Sequence, residues 1–296
     1  MNPKYREKRC REERFCLSNV SWLLILLLLT GCGQKAYEER LQQSRVFYDY
    51  LQTVEEALAT SSWNRTDLGM SMRVPKPFQL PMPGPQKYKD KAGELVIGPD
   101  PREKNSLGTP LPGLEEAWEA PLDSDNGQPN AWIYLLSNQD RFRKADEGGP
   151  KPEEFLIDLE NELMRAFQVT IPEGETSRMG DNVRYRQWIP AQNSARAQYT
   201  TPKDYTVIRF VPDPEYNSAD LQATVYERHI GKVQTALVFL TRKSTSADFR
   251  QRVSIALETF EVADVVPARK PAPAAGVGGT PSSGTNAPQG GSNPGF

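Results

Sequence analysis

Residues 221–242 commit this chain to an antiparallel sheet. Leu221, Ala223 and Val225 alternate with polar neighbours up to a turn at His229-Ile230-Gly231-Lys232. From Val233 to Leu240 the chain returns as an apolar run and ends at Thr241-Arg242. Two such strands around a short turn form a β-hairpin, with Gly231 supplying the turn geometry. His229 falls at that turn and reads as a solvent-facing residue. It is also the one histidine of the chain.

The rest of the second half offers partners for this hairpin. Ala131-Trp132-Ile133-Tyr134-Leu135-Leu136 reads as a buried strand. After Gly148-Gly149-Pro150 a helix begins at Pro152, with Glu153 and Glu154 in its first turn, where the helix dipole favours acids. Phe155, Leu156, Leu159, Leu163 and Phe167 form its apolar stripe. Val183 to Ile189 reads as a strand with Val183, Tyr185, Gln187 and Ile189 on one face. Tyr205 to Val211 is β-branched and aromatic and stops at Pro212 and Pro214. A closing helix carries Ser246 as its cap and Phe249, Val253, Leu257 and Phe260 inward.

The first half is less regular. Residues 34–60 read as an amphipathic helix, with Leu41, Phe47, Tyr48, Leu51, Val54 and Leu58 at three- and four-residue steps. Docking on the domain is the expected use of this helix, with a coiled-coil arm as the alternative. Met70-Ser71-Met72-Arg73-Val74 reads as a strand stopped by Pro75. From Pro75 to Pro129 proline and glycine are dense, so the expectation is a long loop, packed on the domain through scattered Phe78, Leu111 and Trp118. From residue 267 the chain is Pro, Ala, Gly, Ser, Thr and Asn with almost no apolar content, and is expected to be disordered.

The amino-terminal end carries the most specific pattern. Residues 1–21 lean basic, with six Lys or Arg against three Glu. An apolar run from Trp22 to Leu29 follows, too short for the roughly 20 residues of a spanning helix. The run fits a secretory signal and ends Leu29-Thr30-Gly31-Cys32. That tetrad resembles the bacterial lipobox. The resemblance implies cleavage between Gly31 and Cys32 and lipidation of Cys32. It also implies attachment to a membrane of the cell envelope. Gly33 stands where an inner-membrane retention aspartate would be, so the resemblance implies the periplasmic face of the outer membrane in a two-membrane cell. Cys10 and Cys16 precede the cut, leaving no disulfide or thiolate metal site in the remainder. The expected organisation is a signal over 1–31, an anchor and helix over 32–62, a globular domain over 63–266 and a tail over 267–296.

The order of elements gives an α+β class, an antiparallel sheet flanked by helices. The Met70–Pro75 strand, the 221–240 hairpin and the helix ending Leu257-Glu258-Thr259-Phe260-Glu261-Val262 resemble the Mog1/PsbP-like α/β/α sandwich. That fold occurs in bacterial lipoproteins of the LpqN kind. The resemblance implies binding of proteins or small molecules rather than catalysis.

Little in the sequence carries catalytic chemistry. A single histidine at a predicted turn argues against a His-based triad, and one histidine with no free cysteine excludes a multi-histidine metal site and a Cys-His pair. No catalytic residue, metal site or cofactor is therefore expected. Of 36 Lys and Arg and 38 Asp and Glu, six and three precede Cys32, so the remainder is acidic by about five charges. That balance argues against nucleic acid. Glu115, Glu116, Glu119, Asp123 and Asp125 are acidic candidates, read foremost as a solvated face. Asp123-Ser124-Asp125-Asn126-Gly127 departs from calcium-loop spacing and reads as a turn. Trp63, Trp118, Trp132, Trp188, Tyr185 and Tyr199 are expected mostly in the core, with an exposed pair as a partner platform. Three roles remain open: a membrane-tethered module that binds an envelope protein, a carboxylate-based glycan hydrolase, and a small-ligand carrier. Two carboxylates about 5–10 Å apart favour the hydrolase. An apolar pocket of roughly 300 Å³ or more favours the carrier. An exposed apolar patch favours the module.

Overall fold

The computed structural model describes residues 34–103, 107–122, 127–145, 148–212 and 220–266. The signal, Cys32 and the tail lie outside them. Seven antiparallel strands form the main sheet. They are β5 (Leu114–Ala120), β6 (Ala131–Ser137), β7 (Ser177–Met179), β8 (Asn182–Ile189), β9 (Lys203–Phe210), β10 (Leu221–Ile230) and β11 (Val233–Arg242). Their spatial order is β5-β6-β11-β10-β9-β8-β7. The β10–β11 hairpin lies near the middle, with Ile230 opposite Val233. Gly231 turns between them at φ +56°, and a Cβ there would strike the Asp264 carboxylate.

Strand alternation sends each face of this sheet to a different helix. Val233, Leu237 and Phe239 pack with Ile133, Leu135 and Val207 against Phe249, Val253 and Leu257 of the closing helix (Ala247–Thr259). Ala236, Val238 and Leu240 pack with Leu136, Ile208 and Phe210 against Phe155, Leu159, Leu163 and Phe167 of the central helix (Phe155–Phe167). The result is three layers, helix, sheet and helix, of α+β class. The apolar stripes read from sequence are the buried ones, and Ser246 caps the closing helix by accepting from the Phe249 N–H at 3.2 Å. Beside the closing helix a small sheet joins β1 (Trp63–Arg65), β2 (Met70–Met72) and β12 (Glu261–Val262).

Two regions differ from the sequence expectation. The stretch 75–129 contains a small hairpin, β3 (Lys87–Lys89) with β4 (Leu95–Ile97), and the whole of β5. Strand β5 pairs with β6 from Ala120 opposite Ala131 to Leu114 opposite Leu136, with a bulge at Glu115. Gly113, at φ +65°, leads into it, and a Cβ there would lie 2.1 Å from the Ser137 carbonyl oxygen.

The amino-terminal helix, α1 (Gln34–Ala57), docks only by its last turns. Val54, Ala57 and Leu58 pack on Ile255 and Ala256 of the closing helix. Tyr50 stacks on Tyr199 at 5.3 Å, and Arg73 grips Glu55 at 2.9 and 3.0 Å. Earlier turns stand clear of the sandwich. Tyr37, Leu41 and Tyr48 are 66, 57 and 68 % exposed. The expected docking therefore holds for one end of the helix and fails for the other.

Candidate functional site

The central helix, the second in which a long apolar stripe is buried, covers only part of its sheet face. Ile208, Phe210, Ala223 and Val225 lie beneath it. Beside the helix the same face turns polar. Strand β8 contributes Arg184 and Arg186, β9 contributes Asp204 and Thr206, and β10 contributes Glu227 and His229. Gly174 and Glu175, from the loop before β7, close one side of an open groove of about 440 Å³. The ladder fixes the spacing: Arg186 is opposite Thr206, Thr206 is opposite Glu227, and Trp188 is opposite Asp204. His229 is exposed on β10, one residue before the strand ends and two before the turning glycine. It is therefore a strand residue on the groove wall, not the turn residue expected.

Charge in the groove is closely paired. Arg184 forms an ion pair with Glu160 of the central helix, and Arg186 pairs with Asp204 and, at 3.7 Å, with Glu175. Glu227 is buried, at 6 % exposure. Burial, and then the charge of Glu160 beside it, push its carboxyl up to about 8, against the opposing pull of Arg184. Glu227 therefore holds its proton more tightly than an ordinary glutamate.

The groove leaves polar atoms without partners. Arg184 Nε, Asp204 Oδ1 and Glu227 Oε1 are enclosed, and none has a hydrogen-bond partner in the protein. Buried polar atoms are nearly always satisfied, so three orphans lining one groove need an explanation. Chemically the groove offers an N–H donor, carboxyl oxygens, the Thr206 hydroxyl and an imidazole. Its two carboxyl groups, Glu160 and Glu227, lie side by side and act on each other electrostatically. Glycosidase pairs stand roughly 5 Å or more apart to admit the scissile bond or a water.

The acidic candidates from the sequence sit elsewhere and are engaged. Glu115 is buried at the β5 bulge, where Ser137 Oγ donates to it; burial raises its carboxyl and that hydrogen bond opposes the rise. Glu116 accepts from Trp63 Nε1 at 3.1 Å and pairs with Arg102 at 3.2 Å. The expected solvated face holds for Glu119 alone of the three. Asp123 and Asp125, like Gly31 and Cys32, lie outside the described residues.

Of the tryptophans, Trp118 is fully enclosed and meets Trp63 edge-on at 5.6 Å, while Trp132 is half-buried. Trp188 is 44 % exposed on the groove face, and Tyr185 is exposed on the other. Tyr199 packs against Phe47 and Tyr50 of α1. A second cavity, between β8–β11 and the closing helix, holds about 160 Å³ around Tyr226 and Arg209. That is below the size of ordinary ligand pockets. Among the described residues no group of three His, Cys, Asp or Glu is placed to hold a metal, and no helix is long and apolar enough to cross a membrane.

No family model matches this sequence, and comparison with curated proteins finds no match. Among solved structures, a crystal structure from Bacteroides thetaiotaomicron is similar at 9 % identity with a TM-score of 0.22. The similarity covers 68 % of this chain and 48 % of that one, less than half its length. At that score it carries no argument about fold or function.

Proposed function

We propose that this protein is a lipid-anchored module of the bacterial cell envelope that binds a protein partner and does not itself catalyse a reaction. The observation that carries the reading is the free half of α1. The helix begins at Gln34, two residues after Cys32 of the lipobox-like tetrad. At 1.5 Å per residue, its undocked turns reach about 20 Å from the sandwich. Lipidation at Cys32 would set this arm between membrane and domain. Two or more acyl chains hold such an anchor stably.

The arm presents an apolar stripe made of Tyr37, Leu41, Tyr48 and Leu51, all exposed. Its other positions balance Glu38, Glu39 and Asp49 against Lys35, Arg40 and Arg45. A helix without net positive charge gains no attraction to anionic lipid, so the stripe suits a protein groove better than a bilayer surface. The resemblance to Mog1/PsbP-like proteins, which mostly bind rather than catalyse, supports the same reading by analogy of fold. Gly33 directs the proposal to the periplasmic face of the outer membrane in a two-membrane cell.

Mass spectrometry of the N-terminal peptide from cells tests the anchor. A diacylated or triacylated Cys32 is expected, with Cys32→Ala left unprocessed or released from membranes. An unmodified amino terminus retaining residues 1–31 contradicts it. Crosslinking in cells tests the stripe. Leu41→Asp with Tyr48→Asp is expected to abolish the captured neighbour while leaving the fold intact, because both positions face solvent.

A further inference from the structure

We infer that the groove across β8, β9 and β10 binds an oligosaccharide. The inference stands apart from the lipid anchor and from the α1 stripe. It begins with the orphan atoms. Arg184 Nε is a donor, Asp204 Oδ1 is an acceptor, and Glu227 Oε1 belongs to a nine-tenths buried carboxyl. A ligand that satisfies all three must both donate and accept within a small space. Sugar hydroxyls do both at every position, whereas a phosphate is chiefly an acceptor and an ammonium only donates.

Net charge points the same way. The two guanidiniums of Arg184 and Arg186 are matched by the carboxylates of Glu160, Asp204 and Glu175. A strongly charged ligand would have to break one of these pairs. A neutral polyol leaves them standing and uses their free edges. The ion pairs also hold the side chains in fixed positions, so little ordering entropy is lost on binding.

Trp188, beyond the groove's own lining but on the same sheet face, adds an apolar component at its edge. It alternates onto the same face of β8 as Arg184 and Arg186 and stands opposite Asp204 across the ladder. Its ring is 44 % exposed although aromatic side chains usually fill cores. A sugar ring has a polar rim and an apolar C–H face, and an indole plane next to hydrogen-bonding side chains matches both. The volume, about 440 Å³, lies within the range of ligand sites. The groove is open along the sheet, which suits a chain of sugars better than an enclosed metabolite.

Isothermal calorimetry of the full chain in detergent, with cellotriose and with diacetylchitobiose as probes, tests the inference. Binding in the micromolar to millimolar range is expected for at least one of them. Trp188→Ala is expected to weaken it about tenfold, and Thr206→Val several-fold, both at positions where substitution leaves the fold intact. Trp132→Phe, remote from the groove, is expected to leave binding unchanged. Absence of binding to both sugars overturns the inference. So does binding that is indifferent to Trp188→Ala and Thr206→Val. Inorganic phosphate or spermidine binding in their place, and lost with the same variants, also overturns it in favour of a charged ligand.

Discussion

The two ends of the seven-stranded sheet use the same residue types to opposite effect. At the β5 end, Glu115 and Glu116 are buried and Trp118 is enclosed. Each carboxylate there has a protein partner: Ser137 for one, Arg102 and Trp63 for the other. At the β8–β10 end, Glu227 is equally buried, but one of its oxygens has no partner, and Trp188 faces solvent. Buried acids are therefore not alike. Where the partners lie inside the protein, the acid holds structure. Where they are missing beside an open groove, the acid is placed for something that arrives from outside.

Four substitutions sharpen or break this contrast. Trp118→Ala is expected to cost about 4 kcal/mol by emptying a core site, lowering the melting temperature by roughly 10 °C in thermal denaturation. Saccharide binding by the remaining folded protein should be unchanged.

Glu227→Gln is expected to act through pH. The free carboxyl ionises near 4.5, and in the folded protein that rises to about 8. The folded state thus holds the proton more tightly. Its contribution to stability is complete below pH 4.5, falls as pH rises through 8, and is constant above. Glu160 and Arg184 act on it directly, and Glu175, Arg186, Asp204 and His229 line the same groove. Relative to wild type, the neutral Gln variant should gain about 4 to 5 kcal/mol at pH 9 and little at pH 4.5, as read by urea denaturation at each pH. Equal stabilities across that range would place Glu227 in the same class as Glu116.

Glu116→Ala is expected to cost about 2 kcal/mol at neutral pH, because Trp63 Nε1 loses its acceptor and Arg102 one of two partners. Denaturation that leaves groove binding intact would keep the two ends separate. The smallest effect belongs to Trp188→Ala, under about 0.5 kcal/mol in stability. A loss as large as that of Trp118→Ala would make Trp188 a core residue and remove the contrast.

The sequence made the middle of the fold legible and its two ends much less so. The hairpin was readable because Leu221, Ala223 and Val225 alternate and Val233 to Leu240 is continuously apolar. The central helix was readable because its stripe repeats at helical steps. Strand β5 was not, because Leu-Glu-Glu-Ala-Trp-Glu-Ala lacks alternation and is rich in a residue depleted from strands. Its glutamates are tolerated inside only because Arg102, brought by a distant turn, neutralises Glu116. The groove was invisible for a similar reason: its members come from residues 174–175, 184–186, 204–206 and 227–229, and only the fold joins them. Two signals were nonetheless present. Reading Val183, Tyr185, Gln187 and Ile189 as one face leaves Arg184, Arg186 and Trp188 on the other. Glu227 also interrupts the apolar face begun by Leu221. A charged position on an otherwise apolar strand face marks the place where a covering helix ends.

The most direct test of the contrast is a carbon NMR titration of the Glu227 side-chain carboxyl, from pH 4 to pH 10, with and without diacetylchitobiose. The account predicts a carboxyl that stays protonated at neutral pH, titrates near 8 in the free protein and shifts when the sugar is added. Titration in the ordinary glutamate range, unaffected by the sugar, would contradict it.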